Sequence, residues 1–75
     1  PNPTKKYFKL DFGKFFDIDI NIKLVNNLGL TLFEKLHNPI NGKILYFDLN
    51  NYPEGIYFCI LRSSNLNKTF RVISY

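Results

Sequence analysis

Hydrophobic and polar residues alternate along most of this 75-residue chain. In residues 6–12, Phe8, Leu10 and Phe12 share one parity while Tyr7, Lys9 and Asp11 take the other, the period of two that a strand with one wet face requires. Residues 18–25 repeat the pattern, with Ile18, Ile20, Ile22 and Leu24 turned inward and Asp19, Asn21 and Lys23 outward. Asn26-Asn27-Leu28-Gly29 then interrupts with residues that tolerate positive φ, and an extended run resumes over 30–37, which predicts a β-hairpin. In that third run Leu30, Leu32 and Leu36 share a parity with Glu34, so a bulge is expected, or an edge position where the charge reaches water.

The second half reads the same way. Asn38-Pro39-Ile40-Asn41-Gly42 predicts a turn, because Pro removes a ladder donor and Asn-Gly is a strong hairpin signal. A fourth strand is expected over 43–49, and a corner over 50–55, where Pro53 and Gly55 suit positions i+1 and i+3 of a type I turn. Residues 56–62 are apolar on both parities, which predicts a central strand covered on both sides. After a loop at 63–67, residues 68–74 form the last strand. No stretch keeps helical spacing over three turns, so six or seven short strands imply a sandwich or small barrel. Leu49, the Pro53-Glu54-Gly55 turn, then Tyr57 and Cys59 resemble the tyrosine corner of immunoglobulin-like sandwiches without its second cysteine. The expected fold is therefore an all-β, immunoglobulin-like antiparallel β-sandwich of about seven strands. Tyr57 is expected to hydrogen-bond back to the corner, and Cys59 to be a small buried hydrophobe.

Size narrows the function. Seventy-five residues, 45% of them hydrophobic, make a single domain spanning 1–75. Scaling of surface with mass leaves about 63% of the unfolded surface buried, one thin core with little margin for a catalytic cleft. The net charge of +4 is a modest excess, and its ten Lys and Arg are dispersed from Lys5 to Arg71, whereas nucleic-acid readers concentrate them in a patch or stripe. One cysteine excludes an internal disulfide and a cysteine zinc site. No run approaches the 18 or more apolar residues of a membrane-spanning helix, and no export leader is visible. Without any Met, the chain reads as a piece cut from a longer polypeptide.

Candidate chemistry is sparse. Asp17 and Asp19 can be set against a calcium ion, but at the start of a strand they read more simply as outward solubilisers. Ser63 or Ser64 with His37 and Asp48 can be named as a triad, yet no nucleophile-elbow glycines surround the serines. Cys59 lies in an apolar strand, where a thiolate is disfavoured. No metal, cofactor or catalytic group is assigned. Asn67-Lys68-Thr69 matches a glycosylation sequon, meaningful only in a pathway that uses it. Lys5-Lys6-Tyr7-Phe8-Lys9 offers aromatics and cations for base stacking, but ordinary strand alternation explains it. Phe15-Phe16 falls outside the alternation and reads either as a plug for the open end of the sandwich or as part of a contact patch.

Taken in order, Pro1-Asn2-Pro3, the first strand, the run Ile22 to Gly29, the phrase Leu49-Asn50-Asn51-Tyr52-Pro53-Glu54-Gly55-Ile56-Tyr57-Phe58 and the ending Arg71-Val72-Ile73 resemble the type A C-terminal sorting domain of the type IX secretion system. The resemblance covers the whole chain, and the abundant Asn and Lys suit the Bacteroidetes-type bacteria in which the family occurs. It implies an immunoglobulin-like sandwich that is not an enzyme. It implies instead an address label carried by an upstream cargo domain of the same polypeptide, in transit through the periplasm and then at the cell surface or secreted. The implied partners are the outer-membrane translocon and a sortase-like peptidase cutting upstream of Pro1. Within the matched motif, Pro1, Asn2, Pro3, Gly29, Leu49, Gly55 and Tyr57 are expected to build the fold. Recognition is expected at Lys68, Arg71, Val72 and Ile73, since basic residues on an apolar terminal strand offer both charge and edge pairing. Two other functions stay open on the same residues: a carbohydrate-binding or adhesion sandwich, and a basic nucleic-acid-binding barrel.

Overall fold

The computed structural model describes residues 6–14 and 17–75; Pro1, Asn2, Pro3, Lys5, Phe15 and Phe16 lie outside the described residues. Alternating sequence becomes strand wherever one parity is apolar. Among the described residues six strands result: β1 (Tyr7–Asp11), β2 (Ile20–Asn26), β3 (Thr31–His37), β4 (Ile44–Asp48), β5 (Gly55–Arg62) and β6 (Asn67–Ser74). They form a two-stranded sheet, β1-β4, and a four-stranded sheet in the order β3-β2-β5-β6, antiparallel throughout. The two pack as a sandwich, as the alternation implies.

The inward parity supplies the core. Ile20, Ile22 and Leu24 of β2 are wholly buried, and they meet Cys59, Leu61 and Tyr57 of β5, Leu10 of β1, Phe47 of β4 and Leu49. Phe47 joins the layers: its ring stacks on Phe8 of its own sheet at 5.6 Å and on Phe33 of the other at 5.1 Å. Such pairs add about 0.5–1.5 kcal/mol each beyond the area they bury.

The β2–β3 hairpin forms as expected. The Asn26 side chain accepts from the N–H groups of Leu28 and Leu30, each at 2.9 Å, and Gly29 supplies a φ of +84°. Strand β3 is both an edge and irregular, with a register shift against β2 between Leu24 and Val25. Glu34 and Leu36 accordingly face water, and the core side is taken by Phe33 and His37, opposite Leu24 and Ile20.

The expected turn at 38–42 forms, but it does not close a hairpin, because β3 and β4 belong to different sheets. Instead a single 3-10 turn, Pro39–Asn41, carries the chain across, with the Asn38 side chain accepting from Ile40 N at 3.0 Å and Gly42 N donating to Pro39 O at 3.1 Å. Pro39 is buried under this corner, so local turn chemistry served a crossover between layers. Strand β5 is central within its sheet, yet it is covered on one face only. Tyr57, Cys59 and Leu61 are buried while Ile56 is exposed and Phe58 and Ile60 are half-buried. Cross-strand neighbours shield that second face: Phe58 lies between Val25 and Arg71, and Ile60 between Lys23 and Thr69. That cross-strand pairing leaves Phe58 and Ile60 half-buried without a third layer.

Candidate recognition surface at the C-terminal strand

Strand β6 is an edge strand of the large sheet, opposite β3. It pairs with β5 along its whole length, which puts Lys68 opposite Leu61, Arg71 opposite Phe58, Val72 opposite Tyr57 and Ile73 opposite Ile56. The period of two divides the four residues between faces. Arg71 and Ile73 stand on the outer face, Ile73 half exposed at 51% and next to the exposed Ile56. Val72 belongs to the core, and Lys68 shares its parity but lies exposed, its Nζ 5.8 Å from the Phe70 ring centroid. The four expected recognition residues therefore form no single patch: Arg71 and Ile73 are together, Lys68 is on the other face, and Val72 anchors the strand.

The described residues of the matched motif are Gly29, Leu49, Gly55 and Tyr57. Leu49 is 2% exposed, its N–H donates to Lys6 O at 2.8 Å, and its carbonyl accepts from Tyr52 N at 3.1 Å. The corner is thus tied to β1 and closed on itself. Tyr57 donates its hydroxyl proton to the Pro53 carbonyl, the bond expected of a tyrosine corner, and its ring lies 6.3 Å from that of Tyr52. Gly55 begins β5 and Gly29 closes the first hairpin.

The chemically suggestive residues are engaged locally. Asp17 and Asp19 both accept from the Asn38 amide, at 2.7 and 3.2 Å, tying the start of β2 to the β3–β4 crossover. The His37 Nε2 lies 2.7 Å from Gly42 O, and its ring rests on Phe12 at 5.6 Å. Asp48 accepts from the backbone and side chain of Asn50, while Ser63 Oγ accepts from Asn65 N. The triad members His37, Asp48 and Ser63 thus hold three separate corners. Cys59 is 1% exposed, and burial pushes its thiol from 9.0 to about 11. Among the described residues, no group of three or more His, Cys, Asp or Glu is placed to hold a metal ion, and no helix is long and apolar enough to cross a membrane.

Two surface features escaped the sequence. Tyr7 and Tyr46 are exposed on the small sheet and meet edge to face, at 6.3 Å and 81°, so they do not form the flat platform on which a sugar ring stacks. A groove of about 390 Å³ runs between β1 and β6, with Leu49 in its lining. Only strand order could have revealed it.

No curated protein and no solved structure matches the chain. The family described as the secretion system C-terminal sorting domain matches residues 1–74. The match runs through the Leu49 to Tyr57 corner and the terminal strand just described, and it makes this protein a member of the type IX secretion C-terminal sorting domain family.

Proposed function

We propose that the domain is a non-catalytic export label, received by the type IX translocon at the outer membrane while it is joined to a larger cargo, and normally removed by a sortase-like peptidase upstream of Pro1. The observation that carries this reading is the family match over residues 1–74. A label of this kind needs a stable scaffold and oriented side chains, not a reactive group. The cargo passes through the periplasm and ends at the cell surface or outside the cell. Within β6 the contact residues are Arg71 and Ile73 on the outer face, with Lys68 as a second cation, and Val72 acts by holding the strand in place.

The test is a reporter with an export leader fused before Pro1 and expressed in a type IX-competent bacterium. The fusion is expected to reach the cell surface, and reversing the charge at Lys68 and Arg71 is expected to leave it in the periplasm with the domain still folded. Such exposed substitutions change stability by no more than about 0.5 kcal/mol. Surface delivery of both the charge-reversed fusion and one lacking residues 70–75 would remove the signal from this strand.

A further inference from the structure

We propose that the groove between β1 and β6 takes up an extended, carboxylate-bearing segment of a partner protein, which joins the small sheet as its third strand. This goes beyond the export role and holds whatever machinery receives the domain. Among the described residues, strand β1 is paired on one side only. Lys6 O accepts from Leu49 N and Phe12 N donates to Lys43 O, both at 2.8 Å, so the even-numbered residues direct their backbone groups at β4. Antiparallel alternation then aims the N–H and C=O groups of Tyr7 and Lys9 at the other edge. That edge opens on the groove, whose opposite wall is the end of β6 and whose lining includes Leu49 and Val72.

A second, independent observation points to a ligand. Ser74 lines the groove and is 4% exposed, and its Oγ has no hydrogen-bond partner among the described residues. Buried hydroxyls are ordinarily satisfied, and an incoming strand brings backbone donors and acceptors to that wall. Charge selects the occupant. Lys6 and Lys9 line the groove within a chain of net charge +4, and the ion pair of Lys6 with Glu54, 3.1 Å long, rests on a carboxylate whose side chain is 71% exposed. Apolar residues at alternate positions meet Leu49 and Val72, and carboxylates between them, on the outward parity of β1, meet Lys9. This is strand addition, with main-chain bonds for affinity and alternate side chains for specificity.

The test titrates the isotope-labelled domain with a short peptide alternating Val with Thr and Glu, and with its counterpart carrying Lys for Glu. The acidic peptide is expected to bind saturably and to slow amide exchange at Tyr7 and Lys9 by about tenfold or more, leaving Phe8 and Leu10 unchanged. The basic peptide is expected to bind about tenfold more weakly, and Ser74→Ala to weaken the acidic peptide several-fold. The proposal is overturned by Tyr7 and Lys9 amides that stay unprotected in millimolar acidic peptide, or by equal binding of the two peptides. It is also overturned if those amides are already protected in the free domain.

Discussion

Replacing Tyr57 by Phe removes one oxygen from a residue that is 4% exposed and leaves its ring in the core beside Tyr52. No cavity opens, so the whole effect falls on the bond to the Pro53 carbonyl. A net intramolecular hydrogen bond contributes about 0.5–1.5 kcal/mol, and leaving a buried partner unsatisfied costs about 1–3. Pro53 is exposed, so its freed carbonyl turns to water and the larger penalty does not apply in full. We therefore expect a loss of about 1–1.5 kcal/mol. For a domain of this size that lowers Tm by about 4–12 °C. The assay is a urea melt of both proteins: the midpoint should fall while the slope m is unchanged, because the surface exposed on unfolding is the same. Tyr57→Ala is the scale bar, since loss of the ring costs about 3–5 kcal/mol. A Phe variant melting with the parent would refute the corner bond as a source of stability, and one as damaged as the Ala variant would refute the division between ring and hydroxyl.

Gly29→Ala is expected to cost about 1–2 kcal/mol in the same melt, because φ there is +84° while an added Cβ meets nothing within 4 Å; a neutral result would show that the hairpin relaxes. Cys59 binds its proton more tightly folded than unfolded, so its contribution is constant below pH 9.0 and stability falls as pH rises from there toward about 11. Subtracting the pH profile of Cys59→Ala isolates that slope, and rapid labelling of the native thiol would contradict the burial behind it. Ser74→Ala, which deletes a buried hydroxyl without a partner among the described residues, is expected to raise stability by about 0.5–1.5 kcal/mol; a loss of that size would show that the hydroxyl is satisfied in solution.

What was legible in the sequence follows from the range of the interactions involved. The parity of Leu10, Ile20, Ile22 and Leu24 is a local property, and all four are buried as the alternation requires. The tyrosine corner is also local, with donor and acceptor four residues apart. Strand partnership is not local. Asn41-Gly42 carries the same hairpin signal whether the next strand pairs back or crosses to the other layer, and here the crossing is held by His37, Pro39 and Asn38 together. The double-sided apolar pattern of β5 misled for a related reason. Its cross-strand neighbours are set by pairing, and beside them Phe58 and Ile60 are half-buried without the second layer that the pattern implied.

Strand β6 serves the fold and the export reading with the same eight residues, and alternation is what lets it do both. Val72 and Ser74 turn inward and are buried, while Arg71 and Ile73, alternating with them, turn outward. A truncation that removes the strand strips the large sheet of an edge strand and deletes Val72 from the core in one step. An unfolded label and an unreadable label then give the same retained cargo. Substitutions at one parity separate the two causes. Changes at Arg71 or Ile73 remove side chains that hold little of the core, so any export defect they produce is one of recognition. Changes at Val72 lower stability first, and their export defect should be recovered by a stabilising change elsewhere in the sandwich, away from β6. If Arg71 and Val72 variants instead lost export in step with their melting midpoints, the strand would be acting only as a part of the scaffold, and the contact with the translocon would have to be sought on another face of the sandwich.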